Sequence, residues 1–197
     1  MFRPETSPTT TKPASKTRTT SVLEDGLPLP KLFVFDLDYT LWPLWVDCHV
    51  SGPLKPLGSD GLLVRDRSGS DFGLFPDVAG LLVQIRDAGC TIAAASKTPT
   101  PDRAREMLRF LKVGGKPMKD WFDVLEIYPN DKRVHFKKIR EKTGLEYEEM
   151  VFFDDESVNR NVETLGVTMR LVRDGVTVDE VEKGVKEWRK RNGRMKE

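Results

Sequence analysis

Two aspartates one residue apart, Asp36-Leu37-Asp38, follow directly on the apolar run Leu32-Phe33-Val34-Phe35. Three further apolar runs lead into polar groups of comparable potential: Ser96-Lys97-Thr98, then Lys132 a few residues beyond its run, then the pair Asp154-Asp155. Any one of these is ordinary, since an aspartate or serine after a strand most often caps a helix or shapes a turn. Brought together, Asp36, Asp154 and Asp155 would crowd carboxylates, and each like-charged pair at about 4 Å costs on the order of 4 kcal/mol at an effective dielectric near 20. That is a large part of the roughly 5–15 kcal/mol by which a domain is stable. A divalent cation removes the conflict, and an all-oxygen donor set without Cys or His favours Mg²⁺ that keeps several waters.

The elements that must bring these residues together are legible as alternating patterns. Short apolar runs at 32–35, 90–95, 124–128, 150–153 and 167–172 predict five strands, and the continuous run at 32–35 suits a strand covered on both faces of a parallel sheet. Helical periodicity with start and stop signals lies between them. Pro76 to Ala88 keeps Val78, Leu81, Leu82 and Ile85 on one face and stops at Gly89; Thr100-Pro101-Asp102 offers a cap with proline in the first turn. Further helices are expected at 132–142, 156–164 and 177–191. The alternation predicts an α/β fold, a three-layer Rossmann-like arrangement around a five-stranded parallel sheet, which places strand-end residues on one rim. The stretch 41–75, with Pro43, Pro53, Pro56 and five glycines, breaks the rhythm. It is expected to be a small hairpin flap with β-like pieces at 44–50 and 62–67, without a core of its own.

The 197 residues, 38% hydrophobic and 32% charged, bound the chain to one ordinary domain plus a tail. Residues 1–30 are Thr/Ser/Pro-rich and basic and cannot repay their ordering entropy, so a disordered tail is expected there, with the domain over 31–192. Lysine and arginine number 32 against 31 acidic residues, and four of the basic ones fall in the first 21 positions against Glu5 alone. The remaining body is slightly acidic, which argues against a nucleic-acid partner. No window is apolar for long enough to span a membrane, so no membrane partner is expected. Two distant cysteines, Cys48 and Cys90, match no zinc spacing and suit a reducing, cytoplasmic setting. The basic run at 186–191 follows acidic Asp179, Glu180 and Glu182, the order a helix dipole favours; nuclear localisation is its sharper alternative reading.

Phe35-Asp36-Leu37-Asp38-Tyr39-Thr40, Ala95-Ser96-Lys97-Thr98, Lys132 before a helix, and Phe152-Phe153-Asp154-Asp155-Glu156 resemble the four motifs of the haloacid dehalogenase (HAD) superfamily. Thr40-Leu41-Trp42-Pro43-Leu44-Trp45-Val46-Asp47, Val64-Arg65-Asp66-Arg67 and Ile127-Tyr128-Pro129 narrow the resemblance to its magnesium-dependent phosphatase-1 family, over roughly residues 31–188. The resemblance implies a Mg²⁺-dependent phosphomonoesterase working through a phosphoaspartyl enzyme, with a flap in place of a large cap domain. It implies phosphotyrosine-type or fructosamine-6-phosphate-like substrates, and so a phosphorylated small molecule or phosphoprotein as partner of a monomer. Asp36 is then the nucleophile, already ionised at neutral pH, and Asp38, on the same side of an extended segment, the acid and then the base. Ser96 and Lys132 hold the phosphoryl group. Asp36 and Asp154 supply carboxylates to the metal, Asp155 is either a third ligand or a group just behind the ligands, and Asp38 gives its backbone carbonyl.

Several residues carry competing readings. Lys97 adjoins Ser96 and is kept among the substrate-binding candidates, although solvation accounts for it and for Lys137 more simply. Arg133 competes with Lys132 by one position. Trp42 and Trp45 suit equally a substrate wall or the core of the flap; Trp121 and Trp188 read as packing, His49 and His135 have no assigned role, and Thr40 is expected to brace the loop around Asp36. Two other function classes compete: a non-catalytic, receiver-like Mg²⁺ and phosphate binder, and a protein-interaction module. A receiver carries its aspartate at the end of the third strand and lacks a counterpart of Asp38.

Overall fold

In the computed structural model, which describes residues 19–195, five parallel strands form the central sheet. In chain order the elements are β1 (Leu32–Phe35), a one-turn α1 (Val46–His49), β2 (Lys55–Leu57), β3 (Leu63–Arg65), β4 (Asp71–Gly73), α2 (Val78–Asp87), β5 (Thr91–Ser96) and α3 (Pro101–Phe110). There follow the two-residue strands β6 (Lys112–Val113) and β7 (Lys116–Pro117), then β8 (Val124–Ile127), α4 (Lys132–Thr143), β9 (Met150–Asp154), β10 (Thr168–Leu171) and α5 (Val178–Arg191). The sheet order is β10-β9-β1-β5-β8. The chain leaves β1 towards β5 and β8 and then returns to the other side through β9, so β1 marks the point at which the winding reverses.

Alternation along the strands divides the core. Phe33, Phe35, Val151 and Phe153 face one layer with the apolar sides of α2, α3 and α5; Leu32, Val34, Met150 and Phe152 face the other with Phe136, Ile139 and Val162. Strands covered on both faces need no polar residue until they end, which is why the first polar positions cluster at one rim.

The segment expected as a helix at 156–164 is a 3₁₀ helix, Ser157–Leu165. Its inward residues Asn159, Val162 and Leu165 recur every third position, the 3₁₀ period rather than the α period. Thr177 caps α5 by accepting from Glu180 N at 3.2 Å, whereas the hydroxyl of Thr100 makes no capping bond at α3. The flap is an antiparallel meander, β2-β3-β4, with Val64 of its middle strand buried. The piece at 44–50 turns as a helix instead of extending. His49 N donates to Trp45 O at 2.9 Å, while Trp45 N and Val46 N are taken by His49 Nδ1 and Asp38 Oδ2. Side chains thus satisfy the amides that a strand would have paired.

The expected tail is ordered over its last twelve residues, and residues 1–18 lie outside the described ones. Val22 is buried in the main core, and Arg189 near the end of α5 ties this strap down. Its guanidinium meets Asp25 at 2.6 Å and donates to the carbonyls of Pro28 at 2.8 Å and Val22 at 3.0 Å. Composition hid this because the strap is held by one buried cation from the far end of the chain. The same pairing qualifies the basic run at 186–191: Arg189 is buried and Arg191 pairs with Glu163, so the dipole-ordered helix is the better description. No helix among the described residues is long and apolar enough to cross a membrane. Arg189→Ala should lower stability by about 2–4 kcal/mol, because it orphans buried carbonyls as well as Asp25, and Asp25→Ala, at a half-exposed site, by clearly less. Urea unfolding of both variants checks the order, and equal losses would contradict it.

Candidate active site

Register brings the carboxylates together. Phe35 pairs with Phe153 on β9 and with Ala94 on β5, so the next residues, Asp36, Asp154 and Ala95, stand level on adjacent strands about 4.8 Å apart. Oxygens of Asp36, Asp154 and Asp155 lie within 4.8 Å of one another. Lys132, the first residue of α4, reaches between two of them. Its Nζ is 2.7 Å from Asp36 Oδ1 and 2.9 Å from Asp154 Oδ2, and it also donates to the carbonyl of Ala95. Arg133, the neighbouring candidate, instead turns outward to Asp131.

Around this floor a cavity of about 270 Å³ is lined by Asp36, Asp38, Ser96 and Lys132 in its depth and by Trp45, Asp47, Lys97 and Glu156 towards solvent. The structure therefore gathers every residue that the sequence singled out for chemistry. Asp38 is fixed by Trp42, whose Nε1 donates to Oδ1 at 2.7 Å, and by Val46 N. Trp42 is fully buried and so belongs to the core, whereas Trp45 is 48% exposed at the cavity. Ser96 Oγ accepts from Thr98 N at 3.3 Å. Lys137 is exposed on α4, outside the cavity lining. Thr40 braces its loop through the backbone alone: Thr40 N donates to Leu37 O and Thr40 O accepts from Val176 N, while the buried hydroxyl has no partner among the described residues. Asp38 stands apart from the three-carboxylate cluster, its own carboxylate being committed to Trp42 and Val46. Trp121 and Trp188 donate to Val113 O and Glu148 O as packing residues, and buried His135 faces the carbonyls of Ser96 and Tyr128 beneath the rim.

Asn159 was not singled out by the sequence. It is buried, and its amide donates to both oxygens of Asp154, at 3.0 and 2.9 Å, while its own oxygen accepts from Lys97 Nζ at 3.2 Å. Lys97 also lies 3.6 Å from Glu156. The clue was available only as an asparagine five positions after Asp154, a spacing that acquires meaning through the 3₁₀ turn. At Tyr39 the backbone adopts φ 51°, in the left-handed region that favours glycine. Its ring stands edge-on to Trp45, 4.9 Å between centroids, and Trp45 stacks on His49 at 5.8 Å.

Burial governs the electrostatics of the floor. It pushes Asp36 well above the usual carboxylate range, with Asp154 adding repulsion and Lys132 opposing both. Asp38 rises to about 6, again through burial, against the hydrogen bond from Trp42. Asp155 rises to about 6 through burial and then the charge of Asp154. Burial alone would lower Lys132, but Asp36 and Asp154 outweigh it and hold the ammonium charged. One ammonium is thus paired with two members of a three-carboxylate cluster, which leaves the floor short of positive charge. The donor set is entirely carboxylate oxygen, gathered within 4.8 Å, and such a set suits a hard cation that keeps several of its waters.

Residues 28–191 match the acid phosphatase family, and that span covers most of the chain. The chain belongs to this family. Its similarity to known proteins agrees: it is 44% identical over 147 residues to a HAD-like hydrolase superfamily protein of Schizosaccharomyces pombe, covering 73% of this chain and 86% of that one. It is 41% identical over 163 residues to human magnesium-dependent phosphatase 1, covering 82% and 89%. Among solved structures, a HAD-superfamily hydrolase from Ehrlichia chaffeensis superposes with a TM-score of 0.57 at 12% identity, over 83% of this chain and 99% of that one, which shows the shared HAD fold.

An acid whose pKa is higher folded than unfolded binds its proton more tightly in the native state, so its contribution to stability is lost as pH rises from the unfolded towards the folded value. For Asp155 that window runs from about 4 to about 6. In divalent-free buffer Asp155→Asn should therefore gain stability relative to the parent as pH rises through this window, by on the order of 1–2 kcal/mol after allowing for partial exposure, and then level off. Urea unfolding at fixed pH values measures the difference; a gain that shrinks with rising pH would contradict the assignment.

Proposed function

We propose that this phosphatase is a Mg²⁺-dependent phosphomonoesterase that works through a phosphoaspartyl intermediate on Asp36. The observation that carries the reading is the Lys132 ammonium held between Asp36 and Asp154 at the point where the winding of the sheet reverses. Ligand sites in open α/β sheets lie at such points. A receiver-like binder has no use for Asp38, a second buried carboxyl fixed towards the same cavity, and an interaction module has no use for the charge pairing.

Asp36, Asp154 and Asp155, with the backbone carbonyl of Asp38, would hold the ion. Bound Mg²⁺ supplies the positive field that keeps these carboxylates ionised and offsets charge on the phosphoryl oxygens. Lys132 neutralises Asp36 at Oδ1, which leaves Oδ2 to attack phosphorus. The phosphorus–ester oxygen bond breaks, and Asp38, whose pKa near 6 keeps some of it protonated at neutral pH, gives its proton to the departing oxygen. Ionised Asp38 then takes a proton from water, the water oxygen bonds to phosphorus, and the bond to Asp36 breaks to release inorganic phosphate. Ser96 donates its hydroxyl hydrogen to a phosphoryl oxygen throughout. Positioning and charge stabilisation carry most of the effect in such a transfer.

The half-open cavity without a large cap admits a phosphotyrosine side chain or a fructosamine-6-phosphate-like sugar, with exposed Trp45 as the surface beside the leaving group.

Asp36→Asn should abolish Mg²⁺-dependent release of phosphate from aryl and sugar phosphates while circular dichroism stays that of the parent; undiminished turnover would refute the nucleophile assignment. Asn159→Ala frees the Asp154 carboxylate from both amide bonds and should weaken Mg²⁺ binding by about 10- to 100-fold. Isothermal titration with Mg²⁺ in the absence of substrate reads this directly, and an unchanged affinity would remove Asn159 from the metal site.

A further inference from the structure

Exposure sorts the cavity by depth. Asp36, Asp38, Ser96 and Lys132 are buried, whereas Trp45, Asp47, Cys48, Pro99 and Glu156 are exposed and Lys97 is half-buried, so the last six frame the mouth through which a leaving group must extend. The only lysine or arginine in this frame, Lys97, is engaged by Glu156 and Asn159. Among the described residues no lysine or arginine is ion-paired with Asp47, which sits on α1 directly after the Trp45 turn. The mouth therefore carries net negative charge above a floor that must itself accommodate a phosphoryl dianion.

We infer that Asp47 is a specificity-determining residue that screens the leaving group by charge, admitting phosphomonoesters with neutral or cationic leaving groups and disfavouring those that bear a second anion, such as a carboxylate or another phosphate. The inference rests on the phosphatase reading and refines it. Trp45 and Asp47 both line the opening, so a leaving group that extends past the exposed indole shares that opening with the carboxylate. Asp47 lines the same cavity as Asp36 and Asp38, which places its carboxylate on the path of a leaving group. Lys97 does not cancel it, because the lysine answers to Glu156 across the opening.

The test compares two substrates of nearly equal size, 4-carboxyphenyl phosphate and its methyl ester, with the full chain and Mg²⁺. The parent should favour the ester in kcat/KM, and this preference should shrink with added salt. In Asp47→Asn the preference should fall by about three- to tenfold, the size expected for one like-charge contact at the edge of solvent, and should lose most of its salt dependence. Equal use of acid and ester by the parent would overturn the inference, as would a preference that survives unchanged in D47N. The parent measurements stand by themselves should the variant fold poorly. Absence of turnover of both compounds would instead count against the phosphatase reading, so the two failures are distinguishable.

Discussion

The site depends on carboxylates forced into proximity by strand register. Parallel pairing sets Asp36 and Asp154 on neighbouring strands at the same level, and neither strand has freedom to slip, because a shift by one residue would turn Phe35 and Phe153 to the wrong face. The repulsion is therefore built into the fold and must be met by counter-charge. Lys132 meets part of it from the first turn of α4, held by two carboxylates and a carbonyl with its stem laid through the apolar layer. What remains is a deficit of positive charge that a hard cation is suited to fill.

Polar partners around the floor are arranged in a single network. Trp42 and the Val46 amide fix Asp38; Asn159, Lys132 and the Glu156 amide surround Asp154, the last at 2.7 Å. Lys97, through Asn159, joins the loop after β5 to the loop after β9. Satisfied buried polar groups of this kind hold a unique arrangement, since any single break leaves a desolvated charge without a partner. The short helix α1 serves the same end, its first amides being spent on Asp38 and His49 so that Trp45 and Asp47 stand over the cavity.

Much of this was legible in the residues. Apolar runs ending in Asp36, Ser96 and Asp154 announce both the strands and the rim, because a strand buried on both faces tolerates polarity only where it stops. Asn159 was not, since an asparagine in a polar stretch has no distinctive period until the 3₁₀ turn aligns it with Val162. The strap at residues 20–28 was hidden for a different reason: Thr20, Val22 and Asp25 are unremarkable in composition and are ordered by Gln84, the core and Arg189, all distant in sequence. The turn at Trp45 was misread as extended because β-branched and aromatic residues favour strands unless side chains claim their amides.

Tyr39 illustrates a tension between durability and grip. A glycine would relax the backbone there at no steric cost, and by that measure it would be the natural choice for a sturdier molecule. It would also remove the ring that stands edge-on to the exposed indole, leaving Trp45 without that support at the cavity. Strain retained beneath Trp45 is thus the complement of order retained above it, and attempts to harden this protein by ironing out unfavourable torsions would loosen the rim of the cavity.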